Sequence, residues 1–300
     1  MKLLSFRYDG KECFGPKVKK EEAVWDLAAI HEDLGEGEPF PAHIIDGIAA
    51  GHEFVEGIRR LVERAETSSN SDSYKRGFDT IEWTAPIPRT PKNVICIGKN
   101  YAEHVKEMGG DRPPEKLVVF TKAPTAIAAD EEELPAHSEV TENLDYEGEL
   151  AIVIGKGGRN IQKALAYDHV FGYTIANDIT ARDVQTAHVQ FFLGKSLDKS
   201  CPMGPYLVTK DEIPDPQNLS LVTKVNGEVR QNGNTKDMIF PIDELIEQVS
   251  RYVTLEPGDV ILTGTPSGVG KGMNPPSFLK AGDTVKVSIE GIGTLSNTFA

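Results

Sequence analysis

Asp145-Tyr146-Glu147-Gly148-Glu149-Leu150-Ala151-Ile152-Val153-Ile154-Gly155 begins acidic and ends in an apolar run stopped by glycine. Its length and β-branched content predict a strand. Alternate side chains of a strand share a face, so Asp145, Glu147 and Glu149 fall together. Three neighbouring carboxylates repel one another unless a cation or protons neutralise them. A second apolar stretch, Phe171-Gly172-Tyr173-Thr174-Ile175-Ala176-Asn177-Asp178, also predicts a strand and delivers a carboxylate at its end. Glu147, Glu149 and Asp178 are oxygen donors suited to a hard divalent ion. The same Glu-x-Glu spacing also fits two glutamates facing solvent on an edge strand.

The 300-residue chain carries 32 Lys+Arg against 46 Asp+Glu, a formal net charge of −14. That excess argues against nucleic-acid or membrane partners, whose surfaces need clustered positive charge. A small anionic substrate responds only to local charge and stays open. Cys13, Cys96 and Cys201 are odd in number and lack metal-site spacing, which fits reduced, buried thiols in a cytoplasmic protein. No apolar run reaches the roughly eighteen residues of a membrane span, and the first residues are too polar for a signal peptide.

Residues 1–85 predict a small α+β domain. In it Ile44, Ile45, Ile48, Phe54, Val55, Ile58, Leu61 and Val62 recur at helical spacing, and a polar linker follows at 67–73. Pro86, Pro88 and Pro91 lead into a larger domain, 86–300. There a strand at 93–98 runs into a short helix, with Asn100 as its expected N-cap and Gly109-Gly110 as its stop. On that helix His104 and Glu107 share a face, as a general base and its orienting carboxylate or as a surface charge pair. Lys122 ends a further strand, and Asp130-Glu131-Glu132-Glu133 reads as a solvated face. Thr180-Ala181-Arg182-Asp183 resembles a capping box, with Arg182 and Gln185 on one helix face near Asp178. Asn226-Gly227 predicts a type I′ hairpin. Two similar turn-then-strand pieces, 255–261 and 279–285, read as parts of one sheet system. The glycine-rich loop 263–270 matches neither nucleotide-binding pattern and predicts close backbone approach to a small carboxylate ligand.

Five stretches in this order resemble the fumarylacetoacetate hydrolase family, especially its bacterial acylpyruvase and oxaloacetate-decarboxylase-like members. They are Gly98-Lys99-Asn100-Tyr101 with His104 and Glu107, Asp145 to Glu149, Asn177 to Asp183, Gly194-Lys195-Ser196 with Cys201-Pro202, and Gly264 to Gly270. The resemblance covers about 92–300, and the first eighty-odd residues resemble the small N-terminal domain of longer members. It implies a mixed α/β, β-rich fold: a β-roll of antiparallel sheets with short flanking helices, usually as a homodimer. It further implies that Glu147, Glu149 and Asp178 hold the metal and that His104 and Glu107 form a lid dyad. Lys195 resembles the active-site lysine, while Lys122, Arg182, Gln185, Gly264 and Thr265 fall at pocket positions.

Carboxylate ligands without imidazole or thiolate favour Mg²⁺ or Mn²⁺ over zinc. Such an ion acts as a Lewis acid on a 2-oxo acid and holds the enolate left when a C–C bond breaks. The expected reactions are hydrolysis of an acylpyruvate, which needs a base to activate water, and decarboxylation of oxaloacetate, which does not. The alternatives are a dedicated oxaloacetate decarboxylase without hydrolase activity and an inactive metal-binding scaffold.

Overall fold

The computed structural model describes residues 1–35 and 40–300. Gly148–Ile154 is a strand whose every residue is buried. Both of its faces are covered, so its sequence reads as a continuous apolar run and not as an alternation. It lies inside a sheet that has ten strands among the described residues. Val170–Asn177 and Val260–Leu262 flank it, both antiparallel. Beyond Val260–Leu262 come Val94–Gly98, in parallel, and then Val118–Lys122. Beyond Val170–Asn177 come Cys201–Thr209 and then Lys2–Tyr8, through the pair Leu3↔Leu207.

The first strand of the chain is thus hydrogen-bonded into the sheet that carries Glu149. What the first 85 residues add is a layer over one face. Ile44, Ile48, Phe54, Ile58 and Leu61 pack there with Leu3, Val153, Phe171 and Leu207. The 67–73 stretch joins the end of the His52–Thr67 helix to a tight turn at Ser71–Tyr74.

A second sheet orders Glu228–Asn234, Ser220–Val225, Thr284–Ile289, Gly293–Phe299 and Glu133–Leu134. Its Leu221, Val287 and Leu295 share a core with Leu150, Ile152, Tyr173 and Ile175 of the first. Two sheets closed on one core, with short helices outside, form the mixed, β-rich architecture expected from the sequence. The hairpin is formed as read, with Asn226 and Gly227 at φ 52° and 84°.

Two expectations need correction. The two turn-then-strand pieces share one turn, in which Asp259 accepts from Glu256 N–H and Asp283 from Lys280 N–H, each at 2.8 Å. Their strands enter different sheets, Val260–Leu262 the first and Thr284–Ile289 the second. The acidic run is not simply a solvated face. Asp130 is buried and accepts from Ser296 N–H at 2.7 Å, and burial pushes its carboxyl up to about 7. Among the described residues no helix is long and apolar enough to cross a membrane, and Cys13, Cys96 and Cys201 are free and buried.

Candidate active site

The strand expected from Asp145 onward is interrupted. Leu144–Asp145 pairs with Thr180–Ala181 in a small sheet, and the central strand begins only at Gly148. Glu147 sits in the break, its N–H donating to Asn177 Oδ1 at 2.9 Å and its carbonyl accepting from Asp178 N–H at 2.8 Å. Asp145 turns away from the two glutamates. It accepts from Arg182 Nε at 2.8 Å and from the amides of Gly270 and Lys271 at 2.7 and 3.1 Å. The register Gly148↔Asn177 brings Asp178 beside the glutamates, and oxygens of Glu147, Glu149 and Asp178 lie within 4.8 Å of one another. All three residues are buried.

Cations crowd this cluster. Lys195 Nζ lies 2.7 Å from both Glu147 Oε2 and Asp178 Oδ2, and Arg182 Nη1 lies 2.7 Å from Glu147 Oε1. Lys122 Nζ donates to Asp178 Oδ1 at 2.8 Å and to the Ile179 carbonyl at 2.9 Å. Four carboxylates, counting Asp145, thus face three cations, leaving one negative charge in excess. That excess falls at Glu149, which makes no ion pair among the described residues and accepts from Gly264 N–H at 2.6 Å. Burial, then Asp178 and Glu147, push its carboxyl well above the usual range. Burial opposes charge on Glu147 too, but Lys195 and Arg182 outweigh it and hold Glu147 down to about 2. An all-oxygen cluster lacking one positive charge fits a hard divalent cation.

The cluster opens into a cavity of about 350 Å³ lined by Glu147, Glu149, Arg182, Gln185, Lys195, Thr265 and His104. Ile97, Met108, Phe120 and Phe191 supply its apolar wall. Seven predicted residues therefore meet at one cavity, and Asp178 reaches it from below through the carboxylate cluster. Lys122, Gly264 and Glu107 do not line it. Lys122 is fully buried behind Asp178, and Gly264 serves Glu149 through its amide. A larger cavity of about 460 Å³ lies beside the His52–Thr67 helix, but its Arg59 and Asp211 already pair with each other at 2.6 Å.

The dyad sits on the helix Ala102–Glu107, with His104 Nδ1 3.1 Å from Glu107 Oε2. Glu107 Oε1 accepts from Gly268 N–H at 2.8 Å, which ties the helix to the glycine loop. Gly109 at φ 81° ends the helix as expected. Asn100 does not cap its start. Its side chain donates to the carbonyls of Thr263 and Phe240 at 2.8 and 3.1 Å and accepts from Phe240 N–H at 2.8 Å. The capping box at Thr180 is absent too, because its hydroxyl donates to the Asp178 carbonyl at 2.9 Å. The glycine loop does present amides to carboxylates, but these are the chain's own: Gly264 to Glu149, Gly268 to Glu107 and Gly270 to Asp145. Gln231, unremarked in the sequence, accepts from Gly148 N–H, and only its position in a strand just after the Asn226-Gly227 turn hints at an inward polar role.

Two β-rich sheets closed on one core, with a buried carboxylate triad opening into a cavity, define a class of fold and site that known families can be compared with. Residues 93–300 match the fumarylacetoacetate (FAA) hydrolase C-terminal family. An uncharacterized protein of Staphylococcus aureus (strain USA300) is 52% identical over 302 residues, covering 100% of both chains. Among solved structures, fumarylacetoacetate hydrolase from psychrophilic Exiguobacterium antarcticum superposes with TM-score 0.83 at 43% identity, over 100% of this chain and 99% of that one. Maleylpyruvate hydrolase from Sphingobium sp. SYK-6, in complex with manganese(II) and pyruvate, superposes with TM-score 0.76 at 26% identity, over 100% and 99%. The chain belongs to the fumarylacetoacetate hydrolase family.

Proposed function

We propose that this protein cleaves a C–C bond in small 2-oxo and 2,4-dioxo acids, hydrolysing acylpyruvates and decarboxylating oxaloacetate at one divalent-metal centre. The observation that carries the reading is the oxygen triad, short of one positive charge, opening into the cavity that His104 lines. Glu147, Glu149 and Asp178 would hold Mg²⁺ or Mn²⁺. A bound ion supplies Lewis-acid stabilisation for charge developing on the substrate oxygens.

The rest is the work of the chain's own groups. Arg182 presents Nη2, a buried donor with no partner among the described residues, as a donor for a substrate carboxylate. Gln185 Oε1, 3.4 Å from Arg182 Nη1, holds the guanidinium from the cavity side. Glu107 at His104 Nδ1 fixes the imidazole tautomer and leaves Nε2 free to take a proton from water. That water adds to the distal carbonyl of an acylpyruvate. The C–C bond then breaks, its electron pair passes to the pyruvyl fragment as an enolate, and protonation yields pyruvate and a carboxylic acid. Lys195 stays charged because burial, which disfavours its ammonium, is outweighed by Asp178 and Glu147, so it offsets substrate negative charge.

Decarboxylation needs no attacking water, and in a dedicated decarboxylase the His104–Glu107 pair, in contact at 3.1 Å, would instead seat the leaving carboxylate or manage protons. Assembly as a homodimer in the cytoplasm belongs to the same proposal. Product analysis on purified protein tests it, comparing acetylpyruvate and oxaloacetate with Mn²⁺, with Mg²⁺ and with a chelator. Pyruvate and acetate from acetylpyruvate, formed only with metal, is the expected result. No turnover of either substrate with metal bound would leave the scaffold reading in its place.

A further inference from the structure

We infer that Gln231 is a positioning residue of the metal centre, holding from the second sheet the peptide that joins the two ligand glutamates. The inference rests on the metal-centre reading above.

Gly148 lies between Glu147 and Glu149 and pairs on one side with Asn177. On its other side the neighbouring strand is already lost. Val260–Leu262 pairs only with Ala151, Ile152 and Val153, Thr263 N–H reaches the Leu150 carbonyl at 3.1 Å, and the chain then turns into the glycine loop. The outward N–H and carbonyl of Gly148 are therefore past the end of the ladder, where buried backbone groups must find other partners. Side chains supply them. Gly148 N–H donates to Gln231 Oε1 at 3.0 Å, and Thr265 Oγ1 donates to the Gly148 carbonyl at 2.9 Å. Gln231 Nε2 then donates to Thr265 Oγ1 at 2.7 Å and to the Pro266 carbonyl at 2.8 Å. This closed ring replaces the missing rungs, and Gln231 is fully buried within it.

The second sheet also presses on this peptide sterically. A Cβ at Gly148 would come within 2.3 Å of Thr223 Oγ1 and 2.9 Å of Val287 Cγ1. Any rotation of the Gly148 peptide swings both flanking carboxylates, and losing a group that orients metal ligands typically costs about 10–100-fold in metal affinity. Gln231 itself does not line the cavity, so its effect on the reaction passes through Glu147, Glu149 and Thr265, and its effect on the ion through the two glutamates.

The test is Mn²⁺ titration of metal-stripped full-length protein by calorimetry, with electron paramagnetic resonance of the bound ion, neither of which needs substrate. Gln231→Met keeps the length and removes every hydrogen bond. Its Mn²⁺ affinity is expected to fall about ten- to a hundred-fold, with an altered resonance spectrum and a retained cooperative melt. Val225→Ala, a buried position on the paired strand, serves as the purely structural control: its melting temperature should fall while its Mn²⁺ affinity holds. Should Gln231→Met fail to fold, Gln231→Asn carries the test, being polar but one methylene short of the Gly148 amide, with a smaller loss expected. Wild-type affinity in whichever folded variant is measured overturns the inference and leaves the metal reading intact. Absence of Mn²⁺ binding by the wild type overturns both.

Discussion

Glu149 and Glu107 each accept a backbone N–H from the same glycine loop, Glu149 from Gly264 at 2.6 Å and Glu107 from Gly268 at 2.8 Å. Beyond that shared device their surroundings diverge. Glu149 belongs to a strand inside the main sheet, with Asp178 and Glu147 at hand and Lys195 next to them. Glu107 ends a six-residue helix whose hold on the loop, among the described residues, is that charge-assisted bond, worth on the order of 1.5–3 kcal/mol, while His104 and Val105 are buried beneath it. The floor of the cavity is thus part of a fully buried strand, whereas the helix that carries the dyad is attached by a few contacts that can be broken locally. Binding of the ion should depend on the floor alone, and activation of water on both.

The largest effect expected from this contrast is at the floor. Glu149→Ala should bring turnover of every substrate to background while the fold persists, since it removes a ligand and also relieves the crowding with Glu147 and Asp178. Steady-state assays and a thermal melt of the metal-free variant check both halves; full activity in metal-stripped wild type would break the contrast outright. Next comes the lid. His104→Ala should cost acylpyruvate hydrolysis about 10²–10⁴-fold, leave Mn²⁺ affinity unchanged, and lower oxaloacetate decarboxylation less. Equal losses for the two substrates would merge floor and lid into one catalytic unit. The smallest effect is in motion. Amides of 102–110 should exchange hydrogen sooner than those of 148–154 in the free protein and slow when oxalate is added with Mn²⁺. Equal, strong protection with and without oxalate would make the helix a fixed wall.

The glutamates of the floor were legible because a Glu-x-Glu pair heads an apolar run and the family resemblance decided against a solvent-facing pair, although the alternation that placed Asp145 with them fails where the strand breaks before Gly148. His104 and Glu107 were legible for a similar reason, since a spacing of three on a helix enforces contact. The polar residues misread were those whose partners are remote. Asn100 and Thr180 suit local capping rules, yet Asn100 bonds to residues 140 and 163 positions away. A buried amide must satisfy all its donors and acceptors, and the sheet offered Asn100 partners that a helix end could not. Gln231 escaped notice likewise, since its three partners come from two other segments brought together only by closure of the second sheet on the first. The glycine loop was read as a close approach to a carboxylate ligand, and the structure adds that its Gly264, Gly268 and Gly270 amides meet the chain's own carboxylates, because spacing along the chain does not say whose carboxylate arrives. The pairing of Leu3 with Leu207 leaves no local trace at all.

The ammonium of Lys195, set between Glu147 and Asp178, has a consequence for the timing of maturation. A chain that carries its own counter-charge into the cluster can complete its fold on leaving the ribosome without waiting for an ion. Folding and loading then become separate events. On the proposed metal reading, protein made during metal scarcity would be a dormant reserve and not misfolded waste, switched on later by supply alone with no new synthesis.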